Sequence, residues 1–151
     1  MMQIQSLLTP SRTLCDIEGV SKKRVLEILA NTIAQDIPAI DADDLFRRLI
    51  ARERLGSTGI GHGIAIPHCR VENYDGVIGA LITLNQPIDF DSIDSEPVDI
   101  LFAMLVPENA DGEHLQNLAA LAGALNDSDF RDRLRSAESD AALYETAISK
   151  D

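Results

Sequence analysis

His68 ends the run Gly56-Ser57-Thr58-Gly59-Ile60-Gly61-His62-Gly63-Ile64-Ala65-Ile66-Pro67-His68. Glycines alternate from Gly59, and an apolar trio follows before Pro-His. The pattern predicts a flexible lead into a short strand, Ile64-Ala65-Ile66. That strand should stop at Pro67, since proline donates no ladder hydrogen bond. A histidine at such a stop can be pinned by the backbone through one ring nitrogen while the other faces outward. This arrangement suits a nucleophilic imidazole. A histidine satisfied structurally at a strand end fits the same residues, so the run alone leaves both readings open.

Other residues could support anion chemistry. Arg52 falls in the last turn of a predicted helix, where a cation also complements the helix dipole. His114 opens another helix, and helix N-termini favour anions. Ser57 and Thr58 offer hydroxyls and backbone N–H groups, for an anion or for a turn. Gly59, Gly61 and Gly63 would allow positive φ or close approach. The spacing is neither a Walker A loop nor a dinucleotide fingerprint. His62, His68, Cys69 and His114 do not make a convincing metal set. His68 and Cys69 are adjacent on an extended chain and point to opposite faces. No metal and no cofactor are expected. Cys69 reads as a small side chain on the far face, and Arg54 and Arg70 read as solvated.

The elements that must position these residues alternate between helix and strand. Ser21 caps a helix to about Asp36, with Val25, Leu26, Leu29, Ala30 and Ile33 on its buried stripe. Ile37-Pro38 ends it. Asp41 caps a second helix, acidic in its first turn, that ends near Arg54. Val77 to Leu84 predicts a strand and Ile88-Asp89-Phe90 a separate fragment. Val98 to Val106 is nearly all apolar, as a strand buried on both faces would be. Helices follow at Gly112 to Leu125, Asp129 to Ser136, and from Ser139 through Ile148. The fold class is α/β, a central mixed β-sheet flanked by helices in a single compact domain.

Composition agrees. The 151 residues suit one domain with a substantial core, and 45% hydrophobic with 25% charged content is ordinary for a globular chain. No apolar run approaches the roughly 20 residues that span a bilayer. The N-terminus lacks signal-peptide order. The two cysteines make no disulfide framework. A cytoplasmic location is expected, without membrane insertion. The net charge of −12 argues against nucleic acid as a partner. Residues 71–130 hold 12 Asp or Glu and no Lys or Arg, while elsewhere 13 acids balance 13 bases. The acidic excess serves either solubility or docking of a partner with a basic face.

Beyond the glycine run, Ser21-Lys22-Lys23-Arg24, Arg52-Glu53, Pro97-Val98-Asp99 and His114-Leu115 carry a resemblance over residues 5–148. The chain resembles the enzyme IIA domains of the fructose, mannitol and nitrogen-regulatory branch of the bacterial phosphotransferase system. It looks closest to the nitrogen-regulatory subfamily, with His62 and Cys69 departing from the usual pattern. The resemblance implies a mannitol-type enzyme IIA fold, with residues 1–151 forming one type 2 IIA domain. It implies that Nε2 of His68 accepts a phosphoryl group from a histidine-phosphorylated carrier protein of the HPr type. Arg52 would lie near the moving group and His114 beside it, without nucleotide or metal. The phosphorylation state would then regulate partner proteins such as kinases or transporters. The alternative is a sugar-transport IIA component that passes phosphate to a IIB partner.

Overall fold

The run Val98 to Val106 is apolar at every position but Asp99, and the strand it forms is the one on which the fold is assembled. The computed structural model describes residues 3–19 and 21–151. Two 3-10 turns, Ile4–Ser6 and Pro10–Arg12, precede β1 (Thr13–Ile17), α1 (Lys22–Asp36) and α2 (Ala42–Arg54). Then come β2 (Gly59–Gly61), β3 (Ile64–Ala65), β4 (His68–Val71), β5 (Ile78–Ile88) and β6 (Val98–Pro107). The chain closes with α3 (Gly112–Leu125), α4 (Ser128–Ser136) and α5 (Asp140–Ile148).

One mixed sheet runs β1-β5-β6-β3-β2, with β4 also paired to β6. β5 and β6 are antiparallel, whereas β3 and β4 both lie parallel to β6. Side chains of β6 sort by the two-residue period of a strand. Leu101, Ala103 and Leu105 pack beneath α1 and α2. Ile100, Phe102, Met104 and Val106 pack beneath α3, α4 and α5. A strand buried on both faces therefore needs the nearly continuous apolar run seen in the sequence.

The helix caps form where side chains can reach them. Ser21 accepts from Arg24 N, Asp41 from Asp44 N, and Ser139 from Ala142 N. Asp127 caps α4, so that helix starts at Ser128. Other expectations are corrected. β5 continues to Ile88 with a register shift after Thr83, so Ile88 belongs to it and not to a separate fragment. β1 gave no clear signal; it is short, and its pairing with β5 shifts register between Leu14 and Ile17.

The glycine run is not a flexible lead. It is a β-hairpin, β2 to β3, whose two-residue tip is His62 and Gly63 at φ +60° and +79°. Positive φ at both tip residues suits the twist of a tight hairpin. Arg135 of α4 clamps it, pairing with Asp99 and donating from Nη2 to the His62 carbonyl at 2.6 Å. A Cβ on Gly63 would lie 2.4 Å from Arg135 Nη2 and 2.8 Å from Asp99 Oδ1. Gly63→Ala should therefore lower stability by about 1–3 kcal/mol, combining left-handed strain with loss of the clamp. Gly123→Ala, in the open interior of α3, should instead stabilise by about 0.5–1 kcal/mol. Urea midpoints of the two variants check the contrast.

Candidate functional site

Pro67 interrupts the edge of the sheet without ending it. The chain leaves β3 at Ala65 and resumes as β4 at His68, both paired along the same edge of β6. The Pro67 carbonyl still accepts from Met104 N at 2.9 Å, so the gap is bridged. His68 therefore opens a strand, whereas the expected strand stopped at it. The Ile66 carbonyl, on the side of the chain away from β6, is open to the ring. His68 Nδ1 lies 2.8 Å from that oxygen. A carbonyl only accepts, so Nδ1 carries the proton and donates. The neutral ring is thereby fixed with a lone pair on Nε2.

Arg52 faces that lone pair. Its Nε–H donates to His68 Nε2 at 3.3 Å, and its Nη1 donates to the Gly56 carbonyl at 2.8 Å. The helix end supplies this geometry: α2 stops at Arg54, and Leu55 N returns to the Arg52 carbonyl. Burial holds the His68 pKa below its ordinary value, and the Arg52 charge acts in the same direction. The Ile66 hydrogen bond and the Glu53 charge oppose them. The imidazole is thus kept neutral and nucleophilic beside a fixed cation.

His114 is placed by its own helix. Its Nδ1 lies 3.2 Å from Asp111 Oδ1 and 3.4 Å from Asp111 N, closing a capping box at the start of α3. No hydrogen bond joins it to His68 or Arg52 among the described residues. Arg70, read as solvated, connects the two regions. From β4 it donates to the carbonyls of Glu108 and Ala110, at 3.0 and 2.9 Å, and so ties the loop ahead of His114 to the strand that His68 opens.

The hydroxyls after α2 already have partners. Ser57 Oγ donates to the Phe90 carbonyl at 2.9 Å and accepts from Gly59 N at 3.0 Å. Thr58 is buried, and both its N–H and its hydroxyl donate to the Glu53 carboxylate. Gly59 is required by close approach, since a Cβ there would sit 2.5 Å from Ser92 Oγ. His62 holds its side chain outside the hairpin, exposed. Cys69 packs against the α1 and α2 core, and burial pushes its thiol up to about 12. It is an inert thiol.

Sequence reasoning named Glu53 only beside Arg52 in the resemblance and assigned it no role. The signal was present: Leu45, Leu49 and Glu53 recur at four-residue spacing, so a carboxylate occupies the buried stripe of α2. Its partners, Thr58 and Lys22, could not be paired with it from the sequence.

No helix among the described residues is long and apolar enough to cross a membrane. Residues 6–150 match the family described as the phosphoenolpyruvate-dependent sugar phosphotransferase system, EIIA 2. The chain is 50% identical over 148 residues to the nitrogen regulatory protein of Pseudomonas aeruginosa, covering 98% of this chain and 96% of that one. The crystal structure of nitrogen regulatory protein IIA-Ntr from Neisseria meningitidis superposes with a TM-score of 0.88 at 38% identity, over 95% of this chain and 98% of that one. IIA mannitol from Escherichia coli shares the fold, with a TM-score of 0.74 at 19% identity, over 93% of this chain and 98% of that one. A neutral histidine with its free lone pair held against an arginine, on this fold and with these relatives, shows that the chain belongs to the EIIA 2 family of the phosphotransferase system, whose members act through a phosphohistidine.

Proposed function

We propose that His68 is the phosphoryl acceptor and that the phosphorylated and free forms regulate different partner proteins, in the manner of a nitrogen-regulatory IIA protein. The observation that carries the acceptor assignment is the Nε2 lone pair of His68, fixed by the Ile66 carbonyl and faced by Arg52. The regulatory reading is supported by the 50% identity to a nitrogen regulatory protein. In this reading the protein works in the cytoplasm and takes its phosphate from a histidine-phosphorylated carrier of the HPr type.

The transfer follows from these groups. The His68 Nε2 lone pair forms a new P–N bond as the donor's P–N bond breaks, and the released electron pair returns to the donor imidazole. His68 becomes cationic while its Nδ1–H stays on the Ile66 carbonyl, which favours that cation. The Arg52 guanidinium, already beside the attacking nitrogen, binds the equatorial oxygens as their charge spreads. Positioning and charge stabilisation supply the catalysis. His114, at the start of α3, supports onward passage of the phosphate. Ser57, Thr58 and Gly59 support the site by shaping the bend beside Arg52.

His68→Ala should abolish phosphoryl uptake from the radiolabelled carrier and leave the circular dichroism spectrum unchanged. Arg52→Ala should slow uptake about 100-fold at saturating donor. The wild-type label should be acid-labile and alkali-stable. Full labelling of the His68 variant, or an acid-stable phosphate, would refute the acceptor assignment. Capturing partners on the two forms then tests regulation: a set of proteins bound by one form only supports it, and identical sets refute it.

Protonation provides a separate check. The folded His68 pKa lies below that of the unfolded chain, so the unfolded chain binds more protons between the two values. The stability due to neutral His68 is complete above the ordinary value of 6.5. It is lost as pH falls through the folded value. The NMR titration midpoint of His68 should lie below 6.5 and rise in Arg52→Ala, where the repelling cation is gone. Uptake should fall as pH drops through that midpoint.

The acidic middle of the chain also bears on the donor. Asp99, Asp127 and Glu72 are paired with Arg135, Lys150 and Arg48 from outside that segment. Asp75, Glu108 and Glu113 form no ion pair among the described residues. In this reading the surface around the start of α3 steers a basic donor. Asp111→Asn with Glu113→Gln keeps a residue able to cap α3. The pair should lower the association rate more than it raises the dissociation rate, with the difference fading in high salt. Stopped-flow association over a salt series checks this.

A further inference from the structure

Glu53 lies among apolar side chains on α2, with its own side chain 4% exposed. Burying a carboxylate there is costly unless it is paired and hydrogen-bonded. It accepts from Thr58 N at 3.0 and 3.2 Å, from the Thr58 hydroxyl, and pairs with Lys22 Nζ at 2.9 Å. An apolar residue at this position on the stripe would serve core packing at lower cost. What the carboxylate does in addition is close the bend between the end of α2 and Thr58. Gly56 lies inside that bend, and its carbonyl is the acceptor that holds Arg52 Nη1.

We propose that Glu53 is a positioning residue for phosphoryl transfer, holding the bend whose Gly56 carbonyl aims Arg52 at His68. The proposal rests on His68 being the acceptor. The chain of contacts is continuous: Lys22 to Glu53, Glu53 to Thr58, the Gly56 carbonyl to Arg52, and Arg52 to His68. The Phe90 carbonyl braces its outer side, accepting from both Lys22 Nζ and Ser57 Oγ. Lys22 therefore anchors the bend to the start of α1 and to the segment after β5. Glu53 also acts through charge. Its carboxylate partly offsets the Arg52 cation felt by His68, so the guanidinium can sit close without suppressing the imidazolium that forms on transfer.

The test is a double-mutant cycle with the radiolabelled, histidine-phosphorylated carrier protein as donor. Glu53→Gln keeps the side-chain shape and one acceptor but loses the charge. It should lower the maximal rate of uptake about tenfold with little change in the donor concentration needed for half that rate. Combined with Arg52→Ala, it should add less than about twofold to the loss from Arg52→Ala alone, since contacting residues that act through one group are not additive. The His68 titration midpoint should fall in Glu53→Gln, opposite to its shift in Arg52→Ala. Thr58→Val, which loses only the hydroxyl, should show a smaller loss of the same kind, and Thr58→Ser should restore the rate. The Thr58 variants decide the matter if Glu53→Gln does not fold. Multiplicative losses, or wild-type rates with an unshifted midpoint, would overturn the proposal. Labelling of His68→Ala would instead overturn the acceptor assignment itself, and the positioning role with it.

Discussion

Pairing of β3 and β4 with one strand, β6, is the constraint on which the site depends. Proline at position 67 removes a donor from the edge, and a free edge would let the following residues wander. The Met104 N–H bond to the Pro67 carbonyl bridges that gap, and His68 re-enters the ladder opposite Met104. The backbone on either side is therefore fixed while the Ile66 carbonyl remains available to the imidazole. β6 can play this part because it is buried on both faces, with α1 and α2 on one side and α3 to α5 on the other.

Around the imidazole, electrostatic effects of opposite sign act together. Burial and Arg52 disfavour the imidazolium, while the Ile66 carbonyl and Glu53 favour it. In the proposed transfer, the imidazole stays neutral before reaction and its cation is supported once phosphorus is bound. Burial matters here, because partial exclusion of water strengthens each interaction relative to an exposed pair. The same environment leaves neighbouring Cys69 protonated, since burial among apolar side chains outweighs the opposing charge of Arg48.

Long-range pairs stabilise the frame beyond the site. Arg12 is buried, donating to the carbonyls of Leu7 and Gly79 and pairing with Asp36 at the end of α1. Arg135 does comparable work for the hairpin tip. In each case a planar guanidinium binds backbone carbonyls, and a carboxylate keeps the buried or half-buried cation from being unpaired. These pairs also redistribute the acidic excess. Part of the anionic middle segment meets cations from either side of it along the chain, and Asp75, Glu108 and Glu113 form no ion pair among the described residues.

Much of this was legible in the residues themselves. Ser21, Asp41 and Ser139 cap their helices because a cap is made within one turn, and the apolar run from Val98 gives a central strand because both its faces need side chains that tolerate burial. The residues around Pro67 made the following histidine a candidate, and the family resemblance favoured the chemical reading over the structural one. Other features depended on partners far along the chain. β1 has no strong period of its own and is a strand because β5 offers it an edge. Pro67 reads as a stop in isolation, yet the register of β6 carries the chain past it. Glu53 looks like one more charge at a helix end until Lys22 and Thr58 enclose it, and Arg70 looks solvated until the loop after β6 arrives. The sequence by itself determined which local segments become helices and core strands and which histidine stands out. Only the tertiary structure decided how Arg52 meets His68, because side-chain direction across a fold is set by contacts between segments whose closeness no local pattern encodes.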